Sequence, residues 1–125
     1  MSIKYFQDGE VNTRLRQIAN KLGMVHDMSR VVAIRSRGSA SRRILARCHT
    51  MGRAVQTGLG LKSHYIIEVV SENFDKLSQE EQAKTLIHEL LHIPKAFGGG
   101  FKGHHVVNRR AIDQLYKELM RQGNN

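Results

Sequence analysis

Apolar residues recur at helical spacing over Val11, Leu15, Ile18 and Leu22, within DGEVNTRLRQIANKLG. That spacing predicts an amphipathic helix, with Asp8 in the N-cap place and Gly23 as its stop. The period then changes. VVAIRS, at 31–36, is short and β-branched and reads as a strand. RGSAS follows it and reads as a turn. RILARCHTM alternates apolar and polar residues around Ile44, Ala46 and Cys48, the pattern of a second strand. GRAVQTGLGL suits either a short helix or a loop, and HYIIEVVSE, at 64–72, carries the strongest strand pattern in the chain.

The helical period returns in LSQEEQAKTLIHELLHI. Ser78 and Glu81 have the spacing of a capping box, in which each side chain satisfies a backbone N–H of the other. Ala83, Leu86, Ile87, Leu90 and Leu91 form the apolar face. Pro94 cannot donate to the helical ladder, so the helix must end near Ile93. KAFGGGFKG reads as a flexible loop, and Val107, Ala111, Leu115 and Leu119 predict a final helix. Helices that flank a group of short strands imply an α+β fold with a small sheet.

The length, 125 residues, is that of a single domain spanning 1–125. No run of about 18 apolar residues occurs, so no membrane-spanning helix is expected. MSIKYFQDGE lacks a basic flank followed by an apolar stretch, so no signal peptide is expected. Cys48 is the single cysteine, which excludes an intrachain disulfide framework and fits a reducing, cytoplasmic setting.

Charge changes the picture more. Twenty Lys and Arg against eleven Asp and Glu leave a net +9. Between Asp27 and Glu68 there is no acidic residue, whereas Arg30, Arg35, Arg37, Arg42, Arg43, Arg47, Arg53 and Lys62 all fall there. A field of that sign attracts polyanions, and nucleic acid is the commonest. The alternative is a solvated basic face. Few aromatic residues lie nearby, so stacking on bases is not suggested.

The candidate chemistry lies in IHELLHI. His88 and His92 are four apart, so on a helix both project from one face and can reach one cation. Glu89 follows the first of them, where a carboxylate can take a proton from water held at that cation. This is the H-E-x-x-H arrangement of two ligands and a general base, and it points to zinc. A catalytic zinc site needs a third protein ligand and an open position. His104 and His105 are the candidates, and Gly103 ahead of His104 favours His104 by permitting close backbone approach. A surface helix with two solvated histidines would give the same five letters. The apolar residues Ile87, Leu90, Leu91 and Ile93 around the pair argue against it.

TLIHELLHI followed at a distance by KGHH resembles the SprT/Spartan-like zincin metallopeptidases. The likeness is closer to a group of small archaeal and phage proteins regarded as metallopeptidases, and runs from Tyr65 to about Tyr116, with VVAIRSRGSASRR adding to it. The resemblance implies His88, His92 and His104 as zinc ligands and Glu89 as base. It also implies a minimal zincin-like domain, with a short mixed sheet packed on the active-site helix and with flanking N- and C-terminal helices. Since the Spartan-like group acts on proteins attached to DNA, it implies a nucleic-acid link as well. The metzincin spacing H-E-x-x-H-x-x-G-x-x-H is absent.

Two other functions compete. A metal-dependent nuclease or other hydrolase can also use two helix histidines and a later one, but it has no need of Glu89. A zinc-stabilised nucleic-acid-binding module fits the arginines, yet closed structural sites favour cysteines or four protein ligands. An oxyanion helper for peptide hydrolysis could come from Tyr65, Tyr116 or His105.

Overall fold

The computed structural model describes residues 2–24, 26–94 and 107–122. Strand β1 (Lys4–Gln7) leads into helix α1 (Gly9–Lys21). A 3-10 turn (Met28–Arg30) precedes β2 (Val31–Arg37), followed by β3 (Ala46–His49), α2 (Arg53–Leu59) and β4 (Tyr65–Val70). Helices α3 (Ser71–Phe74), α4 (Gln79–His92) and α5 (Arg109–Gln122) complete the chain order. The architecture is α+β, as the periodicities imply.

The four strands form one sheet in the order β1-β2-β4-β3. β2 and β4 run parallel, with Val31 opposite Tyr65 and Ser36 opposite Val70. β1 pairs antiparallel with β2, and β3 antiparallel with β4. The sheet is therefore mixed, and β3 is one of its edges.

Side chains alternate across a strand, so one face of β4 presents Tyr65, Ile67 and Val69, all fully buried. They join Val31 and Ala33 of β2, Val11, Leu15 and Ile18 of α1, and Leu86, Ile87 and Leu90 of α4 in one core, with Ile112 and Leu119 of α5 at its border. The opposite sheet face is more open: Val32 and Ile66 are 37% and 38% exposed. Helices on one face and a partly open second face give a two-layer domain.

The helix ends obey the local chemistry. Asp8 Oδ1 accepts from the Val11 N–H at 3.0 Å, and Ser78 Oγ from the Glu81 N–H at 3.1 Å. Each satisfies one N–H that the first helical turn leaves without an intrahelical partner. Asp8 also accepts from Arg35 Nε at 2.8 Å, and Arg35 reaches Asp75 at 2.7 Å, tying α1, β2 and the residue after α3 together.

Two expectations are corrected. The final helix does not include Val107. Asn108 Oδ1 accepts from the Ala111 N–H at 2.9 Å, so the helix begins at Arg109, and Val107 is buried just ahead of it. Its most buried residues are Ile112 and Leu119, two turns apart. Strand β3 is also shorter than the alternation suggested, because Ile44 lies before it. The ambiguous GRAVQTGLGL is a helix that ends at Gly60, whose φ of +66° is a left-handed cap that glycine tolerates.

Candidate metal and active site

Helix α4 is held by its apolar stripe against the sheet, which fixes the direction of its other face. Glu81, Lys84, Thr85 and His88 recur at spacings of three and four along that face and line one side of a cavity of about 730 Å³. The opposite wall comes from Arg43–Ala46, leading into edge strand β3, and from Val107, Arg109 and Ile112. Glu89 stands at the inner end, 7% exposed.

His88 and His92 converge. Their Nε2 atoms are 3.0 Å apart, and the rings meet edge-on at 66° with centroids 4.8 Å apart. Two nitrogens at that separation can both lie ~2.0–2.1 Å from a single ion, subtending about 91–97° there. Ligation through both Nε2 atoms requires each ring to carry its proton on Nδ1. Glu89 Oε2 is 4.0 Å from His88 Nε2, beside the same point and beyond hydrogen-bond reach of it. A borderline donor pair with an adjacent carboxylate fits zinc. Among the described residues no three His, Cys, Asp or Glu side chains gather closely enough to hold an ion by themselves. His104 and His105, the candidates for a third ligand, lie outside the described residues, as does the glycine loop.

Burial raises the Glu89 carboxyl from 4.5 to about 7. Burial also pushes the Cys48 thiol of β3 up to about 12, and the charge of Glu89 adds to the effect. The thiol is thus protonated and unreactive at neutral pH.

In the metal-free protein the buried carboxyl makes stability depend on pH. Folded Glu89 holds its proton up to about pH 7 and the unfolded residue only to 4.5, so stability falls as pH rises through that window. Glu89→Gln removes the ionisable group. At pH 8 the chelator-treated variant is expected to be up to about 3 kcal/mol more stable than wild type in urea titrations, since each pH unit between the folded and unfolded titrations is worth about 1.36 kcal/mol. Below pH 4 the two should coincide. An equal stability at pH 8 would show that Glu89 is not held in an apolar setting.

The oxyanion candidates divide. Tyr65 is enclosed in the core, 0% exposed, and does not reach the cavity lining. Tyr116 sits under Lys84, whose Nζ is 5.2 Å from the ring centre. His105 lies outside the described residues. Arg109 also lines the cavity, and nothing in its sequence neighbourhood marks it. Its place in the lining follows from the packing of α5 on α4, which no local pattern encodes.

The arginines also divide. Arg30 pairs with Asp27 at 3.3 Å, Arg35 with Asp8 and Asp75, and Arg47 with the buried Glu68 at 3.1 Å. Glu68 further accepts from Ser36 and lies 2.8 Å from His49 Nε2. Burial raises its carboxyl, but the Ser36 and His49 hydrogen bonds and the Arg47 charge outweigh that and hold it below its usual range. Arg37 lies 5.8 Å over the Phe6 ring. Arg42, Arg43 and Arg53 are exposed with no ionic partner among the described residues.

Helix α4 turns His88 and Glu89 onto one cavity and sets His92 against His88, an arrangement that suits a metal-dependent hydrolase. Residues 3–122 match the family described as putative phage metallopeptidase, and the chain belongs to that family. Comparison with curated proteins and with solved structures gives no match. The family implies a metal ion, in agreement with the histidine pair.

Proposed function

We propose that the protein is a zinc-dependent peptidase in which His88, His92 and His104 hold the ion and Glu89 is the general base. The observation that carries this reading is the convergence of two imidazole nitrogens, 3.0 Å apart, beside a buried carboxylate at the inner end of a cavity. The ion supplies Lewis acidity, which lowers the pKa of water and polarises a carbonyl. Glu89 takes the proton from the attacking water and returns it to the departing amine nitrogen. Burial raises this carboxyl, which suits it to both transfers. The edge of β3, unpaired among the described residues, can pair with an extended peptide, which brings a backbone carbonyl along the cavity towards Glu89. The testing experiment is proteolysis of an unfolded protein by the zinc-loaded chain. Cleavage should stop with a chelator and return with zinc, and absence of cleavage under both conditions would refute the reading.

The exposed Arg37, Arg42, Arg43 and Arg53 support a second element, a sequence-independent association with nucleic acid. Guanidinium groups displace counterions from phosphates without reading bases. Binding to DNA or RNA is expected to fall steeply between about 50 and 200 mM salt. Arg42→Glu with Arg53→Glu should weaken it and leave zinc content unchanged. Lack of binding even at low salt would leave the basic segment without this role.

A further inference from the structure

The lining carries Arg43, Lys84 and Arg109 against Glu81, Glu89 and Asp113, so its formal charges balance, but they are not all paired. Lys84 is committed to Glu80 at 2.9 Å and Asp113 at 3.2 Å, a local triad with one carboxylate in excess. Arg43 and Arg109 remain, contributed by different segments, and both are exposed without an ionic partner among the described residues. No acidic residue occupies the first turn of α5 to pair with Arg109. Glu81 is the one carboxylate on the outer lining that no ion pair among the described residues engages. The same lining includes the apolar Ile44, Val107 and Ile112. An ion pair formed against such a surface is less weakened by water than one in the open.

We infer that the cavity selects peptide segments carrying an acidic side chain, received by Arg43 and Arg109 as specificity-determining residues. This rests on the peptidase reading for the use of the cavity and adds the class of substrate. Both guanidinium groups present paired donors that match a carboxylate bidentately. The apolar residues of the same lining accommodate the neighbouring aliphatic part of the peptide. A basic peptide gains no such contact and is repelled at these two arginines, so discrimination comes from both sides.

The test separates selection from turnover. Zinc-loaded Glu89→Gln protein is titrated with a fluorescein-labelled octapeptide containing two glutamates, and with its counterpart containing two glutamines. The acidic peptide is expected to bind about three- to tenfold more tightly, the gain that two partly exposed ion pairs deliver. Arg43→Glu with Arg109→Glu should abolish or invert the preference. Arg16→Glu with Lys21→Glu, exposed on α1, lowers net charge equally and should keep it. Equal binding of the two peptides by the parent protein overturns the inference, as does loss of preference in the α1 control. It is also overturned if the cavity double variant loses only DNA binding, which would assign the two arginines to a nucleic-acid surface. In parallel, the active protein is given a digest of unfolded proteins and the cut sites are read by mass spectrometry. Acidic enrichment around the cut, lost in the cavity double variant, supports the inference. Cleavage without that enrichment overturns it and leaves the peptidase reading standing. No cleavage together with acid-selective binding refutes the peptidase reading alone.

Discussion

His88→Ala and His92→Ala are each expected to abolish stoichiometric zinc in protein purified without a metal column. The two Nε2 atoms form a preset pair at 3.0 Å, held on one helix whose buried face leaves little freedom to rotate. Removing either ring leaves one imidazole, and a single helix histidine cannot define a site. Loss of an outer-shell partner costs about 10–100-fold in metal affinity, so loss of a direct ligand should exceed about a hundredfold. Mass spectrometry under native conditions and a chelator competition both read the outcome. Full metal occupancy in either variant would place the site elsewhere. The third ligand is resolved by the same assay: His104→Ala should weaken zinc far more than His105→Ala, and the reverse order would exchange their roles. Helix content should persist in all four variants. The core contacts of α4 come from Leu86, Ile87 and Leu90, which none of the variants touches.

The histidine pair was legible because it depends only on local rules. Ser78 caps α4, the apolar stripe fixes its buried face, and four-residue spacing fixes the relation of His88 to His92. Strands β2 and β4 were legible for a similar reason, since their β-branched runs mark them, with β4 mostly buried and β2 buried at alternate positions of its first half. Strand β1 was not, because all four of its residues are exposed and backbone pairing to β2 is what holds it. Nor could the order β1-β2-β4-β3 be read, because it depends on long-range pairing between segments with no matching local mark. The basic segment shows a different limit. Composition counts arginines alike, yet Asp8, Asp27, Glu68 and Asp75 engage three of them, and those carboxylates come from outside the basic run. Glu68 itself sits inside the strongest strand pattern, and only its position between β2 and β3 supplies Ser36, Arg47 and His49 as partners.

Glu89→Gln is expected to keep zinc and lose peptide cleavage by about 10²–10⁴-fold, the usual contribution of a positioned general base. The amide has the shape of the carboxyl but cannot accept the proton. Glu89 is also not placed as a ligand. Its Oε2 is 4.0 Å from His88 Nε2, set to one side of the imidazole pair, as its position one residue along the helix requires. Zinc content equal to wild type, with turnover lost, would separate the base from the ligands. Loss of zinc would instead make Glu89 a ligand and refute the assignment. Retained turnover would move the proton transfer to another group. The pH dependence adds an independent reading. In the metal-free chain the carboxyl titrates at about 7. A nearby cation favours the charged form, so the zinc-loaded protein should titrate it lower. The acid limb of kcat/KM should therefore lie below pH 7 and vanish in the variant's residual activity. An acid limb unchanged by Glu89→Gln would belong to some other titrating group, and the base would have to be sought there.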